Sequence, residues 1–189
     1  PRTLAMTAYG DLDTSVLDEL PKGRGEIKTI VIPDDKRSEV VQKITQETNK
    51  GRQAYWVCPL IEESEELNFE AAETTFKSLS SELPTKKIGL VHGKLKPNIK
   101  TKTMVDFKNN IHESLVATTV IEVGVDVPNA TIMVIENSER LGLSQLHQLR
   151  GRIGRGEHES LCVLIYKKPL NEIAKQRLNT IRKSVDGFY

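Results

Sequence analysis

The run Gln148-Leu149-Arg150-Gly151-Arg152-Ile153-Gly154-Arg155 sets two arginines at i and i+3, each preceded by a glycine. Arginine stays charged at any working pH and carries a planar fork of donors that matches phosphate oxygens. The run ends a helical pattern. If the helix continues through it, Arg152 and Arg155 share one side and both reach one polyphosphate. Gln145 and Gln148 extend that stripe backwards, while Leu143, Leu146, Leu149 and Ile153 form an apolar face suited to a sheet. Each glycine inside a helix costs roughly 1 kcal/mol against alanine. A segment that accepts this cost brings another backbone or a ligand close. A lone arginine here would read as ordinary surface charge; the complete string points to phosphate.

Two further segments carry phosphate chemistry. In the first, the short strand Ser114–Thr118 runs into Thr119, followed by Gly124, Asp126 and Pro128. Polar, glycine-containing segments at the carboxyl ends of parallel strands are where open α/β sheets bind ligands. Thr118 and Thr119 can offer hydroxyls to phosphates without regard to base sequence. Gly124 permits close backbone approach, and Asp126 can accept from a ribose hydroxyl or an arginine. The second is His92-Gly93-Lys94-Leu95-Lys96-Pro97, between a strand end and a helix start, with Lys100 and Lys102 nearby. Helix N-termini and free backbone N–H groups suit phosphate. A solvated lysine-rich helix start is the plainer reading of each of these lysines alone.

These residues must be positioned by alternating strands and helices. Strands are expected at 26–32, 53–58, 87–92, 114–118, 131–136 and 160–166. Helices are expected at 33–49, 65–83, 97–109, through the double-arginine string, and at 171–184. Gly51 reads as a C-cap and Pro97 as a first-turn proline. Leu67, Ala71, Phe76 and Leu79 are the expected buried positions of the second helix. This βα alternation implies a mostly parallel sheet with helices on both faces. Residues 1–25, ending in Pro21-Lys22-Gly23-Arg24-Gly25, read as a connector, 26–168 as the lobe itself, and 169–189 as a C-terminal helix cut short.

The bulk properties bound the function. A chain of 189 residues makes one domain with a full core. With 27 basic and 26 acidic residues the net charge is +1, so contact with nucleic acid must be local. Cys58 and Cys162 sit in apolar runs and read as buried free thiols, with no metal site expected. No apolar run approaches a membrane span and the sequence shows no signal-peptide pattern. The first residue is proline, which reads as an excised piece of a longer protein. No G-x-x-x-x-G-K-[ST] occurs; Gly23-Arg24-Gly25-Glu26-Ile27-Lys28-Thr29 is the nearest imitation, with Ile27 at a required glycine. No G-x-G-x-x-G follows any expected strand, which removes a dinucleotide-binding oxidoreductase. A non-catalytic binding module of the same fold is disfavoured by the intact arginine pair. Glu62, Glu63, Glu65 and Glu66 read as a solvated acidic loop.

The arginine string resembles the Q-x-x-G-R-x-G-R signature, motif six, of superfamily-two helicases. Ala117 to Ala130 resembles their motif five. The opening Pro1 to Asp13, the segments Gln53 to Ser64 and Gly89 to Pro97, and Glu136 to Leu149 are similar to RecG-type DNA helicases. The resemblance covers essentially the whole chain. A transcription-repair coupling translocase shares the style of motifs five and six, but not Ala-Tyr-Trp-Val-Cys or the opening run. The resemblance implies a three-layer, RecA-like α/β lobe of the P-loop NTPase type, the second of two. It implies that Arg155 is an arginine finger, Arg152 its companion and Gln148 the coupling position between lobes. Gly124 and Asp126 would complete the nucleotide site, and His92, Gly93, Lys94, Thr118 and Thr119 would face DNA. ATP and Mg²⁺ would serve the complete enzyme and bind this piece only weakly. The implied partners are forked or branched DNA, a first RecA-like lobe and an upstream DNA-recognition domain, with no membrane. The implied setting is the bacterial cytoplasm at the nucleoid, in DNA repair, recombination, branch migration and replication-fork rescue.

Overall fold

The computed structural model describes residues 25–60, 65–118, 127–156 and 158–183. Six strands form one sheet: β1 (Ile27–Pro33), β2 (Gln53–Cys58), β3 (Ile88–Val91), β4 (Ser114–Thr118), β5 (Ala130–Ile135) and β6 (Ser160–Tyr166). Their order is β1-β6-β5-β2-β4-β3, and every pairing is parallel. The helices are α1 (Arg37–Asn49), α2 (Glu65–Glu82), α3 (Pro97–Lys108), α4 (Leu143–Arg150) and α5 (Glu172–Lys183).

Strand alternation decides which helix goes where. In β2, Ala54, Trp56 and Cys58 face α1 and α2, packing with Val40, Val41, Ile44, Ala72, Leu79 and Leu83. Tyr55 and Val57 point the other way, toward Met104, Phe107, Leu146, Leu149, Leu178 and Ile181 of α3, α4 and α5. Period-two side chains on a sheet buried on both sides give this two-faced core. Chain direction along the sheet reverses at β3, and with right-handed crossovers the helices change face there.

The element boundaries follow the sequence reading closely, and Gly51 closes α1 at φ +79°. Two expectations fail. The sheet-facing stripe of α2 is Phe69, Ala72, Phe76, Leu79 and Leu83, whereas Leu67 and Ala71 are exposed. Apolar residues at 67, 69, 71 and 72 permit two phases, and the sheet selects the one that continues at i+3 and i+4 through Leu83. The arginine string is also not helical beyond Arg150. The α4 helix stops at Arg150 with Gly151 as its C-cap residue.

Trp56 is 1 % exposed, and the Arg37 guanidinium stacks 4.9 Å from its ring centroid. Trp56→Ala should lower unfolding free energy by about 3–5 kcal/mol through lost burial and cavity formation. Urea unfolding checks this: the midpoint should fall while the slope is retained.

Candidate phosphate-contacting edges

Because α4 starts beyond the carboxyl end of β5 and runs antiparallel to the strands, its last residue lies near their amino ends. Its 8 residues span about 12 Å. The loop that follows is held there by close backbone contacts. The N–H of Gly25, ahead of β1, donates to the Gly156 carbonyl at 3.1 Å. Gly154 sits at φ +73°, and a Cβ on it would meet Ile27 Cγ1 at 2.7 Å. A Cβ on Gly156 would meet the Pro128 carbonyl oxygen at 2.9 Å. A side chain at 154 or 156 would therefore push the loop off β1 and the start of β5. The glycines accept close approach, as their spacing suggested, but by ending the helix and not by interrupting it.

Arg152 and Arg155 thus lie on a fixed loop at the amino edge of the sheet. Arg152 is half-buried. Arg155 is exposed, and its Nε lies 3.4 Å from the Gly151 carbonyl, a long contact that leans the side chain back over the loop. Gln148 is exposed on the last turn of α4. Ile153, 0 % exposed, anchors the loop although it lies outside the helix. Arg150, the first arginine of the string, has a different job. It is buried, donates from Nη1 to the Ile181 carbonyl at 3.2 Å and lies 2.9 Å from His147 Nδ1 through Nη2. It ties α4 to the last turn of α5.

The second cluster lies at the opposite, carboxyl edge. Thr118 ends β4 and Thr119, Gly124 and Asp126 lie outside the described residues. Thr118 is 0 % exposed and its Oγ1 has no hydrogen-bond partner among the described residues, so its hydroxyl is enclosed and not presented at the surface. The chain re-enters at Val127, beside the amino end of β5. The carboxyl-edge rule for α/β ligands covers only one of the two candidate sites.

At the end of β3, His92 is 2 % exposed and stacks on Phe69 with ring centroids 5.2 Å apart at 28°. Burial holds the imidazole below its usual pKa, partly opposed by Glu73, whose Oε1 lies 3.6 Å from Nε2. At neutral pH the ring is uncharged. His92 supports the turn, while Gly93 and Lys94 are exposed. Lys100 Nζ donates to the Gly93 carbonyl at 2.6 Å. Lys94 lies 3.7 Å from Glu66, which belongs to the first turn of α2. Glu65 and Glu66 are therefore helical, not loop, residues; Glu62 and Glu63 lie outside the described residues.

Sequence reasoning missed a charge network beside this edge. Glu136, just past β5, lies 3.5 Å from Arg37 Nε and accepts from Thr75 Oγ1 at 3.3 Å. Arg37 also donates to Glu82 at 2.7 Å. Cys58 Sγ contacts Glu136 at 3.8 Å. Burial, reinforced by that carboxylate, pushes the Cys58 thiol up to about 12. Burial does the same to Cys162. Both thiols are buried and protonated at neutral pH. Partners this far apart in sequence leave no local signal.

The model of the helicase conserved C-terminal domain matches residues 35–157. The chain belongs to this helicase C-terminal domain family. Over all 189 residues it is 58% identical to the ATP-dependent DNA helicase RecG of Haemophilus influenzae and 59% identical to that of Escherichia coli K12. It spans only 27% of the length of each. A solved structure of RecG bound to a three-way DNA junction superposes with a TM-score of 0.82 at 45% identity, covering 100% of this chain and 24% of that one. Saccharomyces cerevisiae Dbp5 bound to RNA and ADP BeF3 shares the fold, with a TM-score of 0.67 at 16% identity over 96% of this chain and 45% of that one. The all-parallel sheet is that of a RecA-like helicase lobe. Among the described residues, no helix of this helicase domain is long and apolar enough to cross a membrane.

Proposed function

We propose that this chain is the second motor lobe of a RecG-type ATP-dependent DNA helicase, which remodels stalled replication forks and branched recombination intermediates. The observation that carries this reading is the Gly151–Gly156 loop. It holds two arginines on a rigid edge by glycine contacts that admit no side chain. Rigid placement is what an arginine needs if it is to act on charge that develops only in a transition state. The junction-bound relative, similar over the whole length of this chain, supports branched DNA as the partner.

In this reading Arg155 acts as the finger, Arg152 assists and Gln148 signals between lobes. Bound ATP supplies a phosphoryl group whose transfer to water is accelerated by positioned cations and Mg²⁺. The residues present fit the phosphate end of that group: an exposed, always-charged guanidinium on a fixed loop. The P-loop lysine and the magnesium ligands are assigned to a first lobe by family resemblance. The family resemblance also assigns Gly124 and Asp126 to the nucleotide. Gly93 and Lys94 would hold a DNA backbone at the opposite, carboxyl edge, with the buried His92 and Thr118 as support beneath; the family resemblance adds Thr119 to the DNA contacts. Closing two lobes on ATP and reopening them would then shift the DNA-facing edge by a step. Such an enzyme is placed at the nucleoid of a bacterial cytoplasm, with an upstream DNA-recognition domain choosing the junction.

The test is ATP hydrolysis by the complete protein with linear duplex or with forked DNA. Forked DNA is expected to stimulate turnover more strongly. Equal rates with no DNA, duplex and fork would overturn the reading.

A further inference from the structure

The turn after β3 is built on a residue that no motif marks. Phe69 is 9 % exposed and lies on the sheet-facing side of α2. Its ring stacks on His92 and also sits under Gly93. A Cβ on Gly93 would lie 3.1 Å from Phe69 Cζ and 3.2 Å from Cε1. The turn therefore rests on a flat aromatic floor, with glycine where the backbone touches that floor. Glu73, one helical turn beyond Phe69, lies beside His92 Nε2, and Glu66, one turn before it, lies beside Lys94. One face of α2 thus meets three consecutive residues, His92, Gly93 and Lys94. The Leu95 N–H donates to the His92 carbonyl at 3.2 Å, closing the turn above the ring.

We propose that Phe69 is a positioning residue for DNA-backbone contact: its ring fixes the height and direction of the Gly93–Lys94 turn without touching DNA. This rests on the reading that the turn faces phosphates. A neutral, buried His92 fits the role, because it fills the space between floor and turn without burying a charge. The ring acts through shape. An aliphatic side chain of similar volume keeps the core filled but lets the turn settle into the space that the flat ring edge occupied.

The test uses the complete helicase and reads DNA-stimulated ATP hydrolysis against forked-DNA concentration and salt. Phe69→Leu is the principal variant, since it keeps an apolar side chain; Phe69→Ala is the harsher one. Phe69→Leu should raise the half-saturating DNA concentration roughly 10-fold, the scale of losing one charge-assisted hydrogen bond to phosphate. The saturating rate should change much less. The slope of log affinity on log salt should weaken by about one contact, as it should in Lys94→Ala. Gly93→Ala, which forces a methyl against the ring, should weaken binding on its own and cost clearly less in the Phe69→Leu background, because the two changes act on one contact. Lys94→Ala with unchanged affinity and slope would remove the underlying reading that this turn faces DNA. If Lys94→Ala weakens binding but Phe69→Leu does not, or if the Gly93 and Phe69 effects simply add, then the turn contacts DNA and Phe69 does not position it.

Discussion

Arg155→Ala in the complete helicase should abolish hydrolysis while leaving both DNA affinity and ATP affinity close to normal. An arginine finger is worth about 10³ to 10⁵ in rate, because it meets charge that appears in the transition state and is weak in the ground state. The loop geometry supports a clean outcome. Arg155 is exposed, and Ile153, Gly154 and Gly156 pack the loop against its surroundings. Truncating it removes a guanidinium and leaves its platform standing. Arg155→Lys should rescue little, since an ammonium lacks the planar fork. Thr119→Ala should do the reverse, lowering stimulation by forked DNA and leaving DNA-free hydrolysis nearer normal. Rates with and without forked DNA for the three variants decide it. Should Arg155→Ala lose DNA affinity and keep its turnover, the arginine loop would belong to the DNA edge.

The sheet was legible because its strands are short, apolar and bounded by turn residues. Ser114–Thr118 and Ser160–Tyr166 read directly from sequence for that reason. The phosphate chemistry of the arginine string was equally plain, since residue types and spacing alone suggest it. Its conformation was not. Leu149 and Ile153 stand at i and i+4, so the hydrophobic pattern imitates another helical turn. Ile153 is buried all the same, by the loop that Gly154 turns back onto Ile27. Periodicity reports that a residue is buried, not which element buries it.

His92 shows a second kind of limit. Its neighbours in sequence, Gly93 and Lys94, suggest an exposed basic turn, and both are exposed. That His92 itself is enclosed depends on Phe69, on a helix whose phase Leu67 and Ala71 disguise. The two departures share one cause. With α2 in its true phase, Phe69 and Glu73 face the sheet side of the turn, and a buried, stacked histidine follows. The Arg37, Glu82 and Glu136 network is harder still, because long-range ion pairs become visible only once helix N-termini and strand ends are placed together.

The chain by itself should show no DNA-stimulated ATP hydrolysis at all. Both of its candidate sites are half-sites. The arginines stand on the amino edge, yet no G-x-x-x-x-G-K-[ST] occurs among the 189 residues to cradle the β- and γ-phosphates. A finger acts on a phosphoryl group already held and aligned; most of the barrier reduction in phosphoryl transfer comes from that alignment together with its charge stabilisation. Arg152 and Arg155 alone could offer a nucleotide only an exposed ion pair, which is weak in water and is screened by salt. Adding the first lobe in the same polypeptide should restore turnover, and Arg155→Ala in that longer protein should remove it again. The measurement is phosphate release by highly purified chain, with and without forked DNA, beside the longer protein. Release by the 189-residue chain that disappears with Arg155→Ala would mean that this lobe holds a complete nucleotide site of its own.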